Sequence, residues 1–192
     1  MGFDMLMRGG KLMNKLVTIF ALLVIFSFCS SGPEASIDIF EAAKTGNVDE
    51  INLHIESSSN LNERAELNSD TPLIFATIYG QNAVVKLLSQ QESVNLDSQN
   101  IQGFTALCVA TVWGQIDIIE TLLAAGADKN IKCFGDENNS GPKTATALMA
   151  AQASVSPGVE QQYIDISEQY GLDFDLDKIV EGRAKAAEAL QK

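Results

Sequence analysis

The stretch TPLIFATIYGQNAVVKLL (71–88) returns, shifted by 34 residues, as TALCVATVWGQIDIIETLL (105–123). Thr71 falls on Thr105, Leu73 on Leu107, Ala76 on Ala110, Gly80 on Gly114 and Gln81 on Gln115. Shifted the other way, IDIFEAAKTGNVDEINLHI brings Ala42 and Gly46 into register, so three glycines stand at equal spacing. A period of roughly 20–50 residues is the signature of stacked supersecondary units, because one such unit is too small to bury its own apolar face.

Each unit reads as two short helices. Thr71 is a helix N-cap, and Pro72 sits in the first turn, where its missing N–H costs nothing. Leu73 and Ala76, three apart, share one face. Gly80 ends the helix in a conformation that suits a residue without a Cβ. A second helix follows with Val84, Val85 and Leu88 inward, and in the next unit Ile118, Ile119 and Leu122 take those columns. Gly126 in AAGADKN stops the helix that closes that unit.

TPLIFATIYG, TALCVATVWG and LLAAGAD together resemble the ankyrin repeat, whose hallmarks are Thr-Pro-Leu-His, then Ala, then Gly, then a Gly-Ala-Asp turn. The hallmark His is Ile74 in one unit and Cys108 in the other, and the period is 34 where the family has about 33. A looser fourth copy starts at TALMAAQ (Thr146 to Gln152), with VEQQYIDISEQYGLD expected as its second helix. From Gly126 to Gly171 is 45 residues, 11 more than the period, seven of them before Thr146 and the rest around SVSPG. The resemblance implies an all-α ankyrin-repeat solenoid of about four helix-turn-helix repeats over 37–173, divided at about 37–70, 71–104, 105–145 and 146–173, with a capping helix at 174–192. Repeat 1 lacks the Thr-Pro start and shows Asp38, Glu41 and Lys44, as a polar end unit should. KCFGDENNSGPKTA carries Gly, Asn and Pro without periodicity and reads as a surface excursion.

Residues 1–31 are a different kind of sequence. Lys15 precedes an uncharged apolar run from Leu16 to Phe28, with small residues after it. Thirteen such residues fall short of the roughly 20 that cross a bilayer, and a basic start before a short apolar run describes a secretory signal peptide. The start codon is Met1 or Met13. Cys29 before SSG is a candidate lipidation site, although Phe28 replaces the small residue that bacterial lipoprotein signals carry there. Ordinary cleavage gives a soluble periplasmic or secreted product instead, and acylation gives a lipoprotein of the cell envelope. Net charge is −12, and removing 1–31 makes the chain about two charges more negative. That balance repels nucleic-acid phosphates and anionic lipid, so neither is an expected partner, and membrane contact is expected only through the signal or an anchor.

Catalysis needs a nucleophile beside a base, or a set of metal ligands. The chain has one histidine, His54, which counting back 34 from Leu88 places in a core column of repeat 1. No GxSxG, HExxH, CxxC or phosphate-binding glycine loop occurs, so a non-catalytic protein without a cofactor or metal is expected. Asp136, Asn138, Ser140 and Gly141 imitate the opening of a calcium loop, but Ala147 stands where the bidentate Glu belongs. Asp173, Asp175 and Asp177 imitate another, but Lys178 replaces the Gly, and a capping Asp explains them equally. Cys108 and Cys133, 25 residues apart, are a candidate disulfide in an exported protein; two small buried thiols are the other reading.

The resemblance further implies a protein-interaction module, expected as a monomer, that grips a protein partner on a concave face made of the first helices and loop tips. By position that face would hold Ile78, Tyr79, Val112 and Trp113 with the tip residues Ile101, Gln102 and Phe104, rimmed by Lys44, Thr45 and Asp70. An aromatic before the helix-ending Gly also packs on the next repeat in such stacks, and both readings stay open for Tyr79 and Trp113. An inhibitor or immunity protein, an accessory factor for an exported enzyme, and a lipid-anchored structural envelope component are the roles such a chain could serve.

Overall fold

The computed structural model describes residues 34–134, 145–153, 157–173 and 175–192. The chain divides into two compact units, Met1–Glu34 and Ala35–Lys192, and every helix and strand given below lies in the second. The expected signal segment and Cys29 lie outside the described residues, as do Asp136, Asn138, Ser140 and Gly141.

Three helix pairs come first: α1 (Ile39–Thr45) with α2 (Val48–Glu56), α3 (Pro72–Ile78) with α4 (Asn82–Ser89), and α5 (Ala106–Val112) with α6 (Ile116–Ala125). Then follow β1 (Lys132–Phe134), β2 (Ala145–Thr146), α7 (Ala147–Gln152), α8 (Pro157–Tyr170) and α9 (Leu176–Gln191). The fold is the expected all-α helical-repeat solenoid. Its short strands pair antiparallel and close the ends of the excursion at 135–144.

The N-terminus of each first helix is set by threonine. The Oγ1 of Thr71, Thr105 and Thr146 accepts from the backbone N–H of Ile74, Cys108 and Met149 at 3.3, 3.2 and 3.5 Å. Each cap satisfies one N–H that the helix itself leaves orphaned. Thr77 and Thr111, fully buried, donate to the carbonyls of Leu73 and Leu107, both at 2.8 Å. That internal partner is what lets a hydroxyl sit in the core without a desolvation penalty. Leu73, Ala76, Val84, Val85 and Leu88, with their counterparts Leu107, Ala110, Ile118, Ile119 and Leu122, form one continuous buried cluster.

First helices stack as α1, α3, α5 and α7, and second helices stack as α2, α4 and α6. Adjacent units are tied by the repeated glutamine. Gln81 Nε2 donates to Lys44 O at 2.8 Å, and Gln115 Nε2 donates to Thr77 O at 2.9 Å.

The fourth unit departs from the sequence expectation. Its second-helix place, against α6 and α7, is taken by α9 and not by the 157–170 segment. Gly114 (φ 65°) is the reason: a methyl there would lie 2.6 Å from Ile179 O and 3.1 Å from Arg183 N. Gly182 lies directly on the Gly114 backbone, so two glycines let the backbone of α9 approach the turn between α5 and α6. Ile179, Gly182, Arg183, Ala186 and Leu190 form the buried stripe of α9, and Lys129 Nζ donates to Leu190 O at 3.0 Å to fix its far end. What was expected as a separate capping helix completes the last repeat.

Candidate functional site

Two loop tips project between the units. In the first, Arg64 donates to Ser69 O at 3.2 Å and across to Gln99 O at 2.8 Å. In the second, Asn100 Oδ1 accepts from Gln102 N and Phe104 N at 3.1 and 2.9 Å, while Asn100 Nδ2 donates to Asp70 Oδ1 at 2.7 Å. Ile101 N donates to Asn68 O at 2.9 Å, joining tip to tip. Leu67 and Ile101, one repeat apart, stand on these neighbouring tips at 94% and 70% exposure. Leu67 was not singled out from the sequence, though subtracting the period from Ile101 finds it.

The expected concave-face residues separate into three groups. Ile101 and Gln102 are exposed at the tip, Phe104 is half-buried against the core, and Ile78 is buried at 8% exposure. Ile78 is part of the buried cluster and also lines a recess beside Tyr79 and Trp113. Tyr79 and Trp113 are half-buried. The structure puts α8 against Trp113. Tyr163 lies 5.6 Å from Trp113 between ring centroids and donates to Val112 O at 2.9 Å. Tyr170 meets Tyr79 edge-on at 6.2 Å and accepts from Asn68 Nδ2 at 3.3 Å. Tyr79 continues a row through Phe75 to Phe40, with centroids 6.2 and 5.3 Å apart, and Lys44 Nζ stands 5.6 Å over its ring. Burial raises the Tyr79 phenol above its ordinary range, and Glu41 adds to this. A small recess of about 280 Å³ remains between Tyr79, Trp113, Leu172 and the first turn of α9.

Arg183 holds the helices of the last unit together. It is buried at 7% exposure, donates to the carbonyls of Ala150 and Ala153 (the latter at 2.9 Å), and donates to Tyr163 Oη at 3.2 Å. Those carbonyls close the C-terminus of α7, where a cation is favoured. Burial raises the Tyr163 phenol, and the Arg183 charge opposes that rise. Asp70, at 1% exposure, is the buried carboxylate of the first tip. Burial raises its pKa, which the Asn100 hydrogen bond partly offsets.

The remaining candidates have structural places. Cys108 of α5 and Cys133 of β1 are joined as a disulfide, Cα–Cα 6.4 Å, so the reading of two small buried thiols gives way to the bridge. His54 is half-buried, its Nε2 2.8 Å from Ile37 O and its Nδ1 3.2 Å from Ser59 Oγ. Asp175 caps α9, accepting from Lys178 N at 3.1 Å.

Fold and surface thus define a class: a helical-repeat solenoid that presents loop tips and a face of stacked first helices. Residues 39–133 match the family model for ankyrin repeats in three copies, and the chain belongs to the ankyrin repeat family. It is 31% identical over 105 residues to alpha-latrocrustotoxin-Lt1a of Latrodectus tredecimguttatus. It is 32% identical over 95 residues to ankyrin repeat and SAM domain-containing protein 6 of Rattus norvegicus, and 33% over 106 residues to ankyrin repeat and SOCS box protein 2 of Mus musculus. These matches take in 55%, 50% and 54% of the chain but only 7%, 11% and 16% of the relatives. The ankyrin repeat is a protein-interaction module and generally a non-catalytic one.

Proposed function

We propose that this protein is a non-catalytic binding protein, exported to a bacterial periplasm or cell envelope, that captures a basic protein partner on its loop tips and concave face. The observation that carries the reading is the pair Leu67 and Ile101. Two large apolar side chains at 94% and 70% exposure, on neighbouring tips joined by the Ile101 N to Asn68 O hydrogen bond, are what an interface centre needs and what water disfavours. The charge of −12 supplies the electrostatic complement for a basic partner and would speed their encounter. Export is supported by the basic residue and apolar run before Cys29, and by a disulfide, which persists in oxidising compartments. Among the roles such a protein can play, blocking a basic toxin or hydrolase suits the acidity best.

The test is affinity capture from native periplasm followed by mass spectrometry, with Leu67→Ser/Ile101→Ser as the paired bait. The wild type should enrich one basic exported protein. The variant should lose at least about tenfold in affinity, about 1.4 kcal/mol, with its helical content unchanged. Equal capture by both baits would remove the tips from the site.

A further inference from the structure

α8 stands outside both columns of the stack, since α9 fills the second-helix place. It nonetheless matches the stack in period. Tyr163 and Tyr170 are seven residues apart on one helix, which advances ~10.5 Å at ~1.5 Å per residue. Neighbouring helices of a stack lie ~8–10 Å apart. The two tyrosines therefore step from Trp113 to Tyr79, one repeat apart, and each meets the aromatic of its unit.

α8 is held on this face through its two tyrosines, Tyr163 bonded to Val112 O and Arg183 and Tyr170 to Asn68, and its own charges match the face poorly. Among its described side chains Tyr163 and Ser167 are buried, both 4% exposed, while Ile166 is 37% exposed. Residues 157–170 include Glu160, Asp165 and Glu168 and no Lys or Arg. The face they cover is itself acidic at its first tip. Asp70 Oδ1 accepts from Asn100, but Asp70 Oδ2 is buried with no donor among the described residues. Its charge reaches the Tyr170 phenol, whose pKa is raised mainly by burial and further by Asp70. A buried carboxylate oxygen without a donor calls for a cation, and α8 brings none.

We propose that α8 is a displaceable occupant of the concave face, and that the partner it stands in for presents a basic amphipathic helix with two aromatic side chains seven residues apart. The exchange favours that partner because both helices can fill the Trp113 and Tyr79 positions, while only the basic one pairs with Asp70. This deepens the reading of the concave face as a protein-binding surface and rests on it.

The experiment has two arms that fail separately. In the first, native-state hydrogen exchange is followed on the full chain without any ligand. Amides of 157–170 should exchange at least tenfold faster than those of α3 to α6. In Tyr163→Ala/Tyr170→Ala, fluorescence of Trp113, the single tryptophan, should become more open to acrylamide. Exchange of α8 in step with the stack, or unfolding of the double variant as a whole, makes α8 part of the solenoid and overturns the proposal whatever the partner. The second arm uses a synthetic peptide of residues 157–171 carrying Glu160→Lys, Asp165→Lys and Glu168→Lys. It should bind the double variant at least tenfold more tightly than it binds wild type, and Asp70→Asn should remove most of the gain over the unmodified peptide. A peptide that ignores the opened face overturns the concave face as a helix receptor, and with it the underlying reading of that face.

Discussion

The junctions inside 39–125 and the junction into the last unit are closed over their glycines by different means. Between regular units a side-chain amide crosses the gap: Gln81 reaches Lys44 O and Gln115 reaches Thr77 O. At the last junction no glutamine occupies that slot, and the backbone of α9 comes down on Gly114 through Gly182. Arg183 then satisfies the α7 carbonyls and fixes Tyr163. The contrast shows that the slot is a steric and hydrogen-bonding demand, which quite unlike sequences can meet. It also shows where the stack is least uniform. The regular part is held by contacts repeated from unit to unit, and the final part by contacts found in no other unit, among them the disulfide and the buried Arg183.

The largest effect should come from that bridge, which ties α5 of the regular part to β1 at the entry of the irregular part. Cys108→Ala/Cys133→Ala opens a loop of 25 residues and should cost about 3 kcal/mol in the chain-entropy account. Urea unfolding of oxidised wild type against the variant measures it. Hydrogen exchange should show 145–191 loosened more than 39–125, and uniform loosening would break the comparison.

A smaller effect separates equivalent alanines. Ala76, Ala110 and Ala151 occupy the same position in successive first helices, the first two at 0% exposure and the last at 7%. Ala110→Leu overpacks a helix clamped on both sides and should cost about 1–3 kcal/mol. Ala151→Leu, at the end of that column, should cost less. Matched denaturation curves decide, and equal losses would mean that the last unit is as tightly built as the others.

The smallest effect is one of pH. Asp70 has a pKa raised above its ordinary 3.8 by burial, so the folded chain holds this proton to higher pH than the unfolded chain does. Its contribution to stability is therefore fully present below the ordinary carboxylate value and is lost as pH rises through the raised one. Asp70→Asn should unfold at a higher urea concentration than wild type near neutral pH, and the gap should close on acidification. The exposed carboxylates Glu50, Asp175 and Glu181, whose pKa values are lowered chiefly by hydrogen bonds to Ser36, Lys178 and Lys185, shift both proteins alike and cancel. A gap that widens toward acid would contradict the burial of this carboxylate.

Much of the regular part was legible because its signals are local. A threonine cap, a proline in the first turn and a glycine at positive φ each involve a few neighbouring residues, so Thr71, Pro72, Gly80 and their copies declare themselves. The concave face was legible only in part. Tyr79 and Trp113 could be placed on it, but nothing near them in sequence announces Tyr170 and Tyr163, which arrive from 91 and 50 residues away. Leu67 was legible and overlooked, since its signal is the period itself and not its surroundings.

By itself the sequence determined the unit, its period, its caps and its apolar columns, because each depends on backbone conformations and helix faces that short stretches dictate. It also determined the acidity of the chain. Tertiary structure decided which of two amphipathic segments fills the last second-helix place. Both 157–170 and 176–191 can form a helix with an apolar stripe, and only the second brings a glycine to Gly114 and an arginine to the open end of α7. It decided likewise that the displaced segment should lie on Trp113 and Tyr79, that Cys108 should meet Cys133, and that Asp70 should be buried with one oxygen lacking a donor among the described residues. Those outcomes turn on close approach between elements distant along the chain, which packing resolves and periodicity does not.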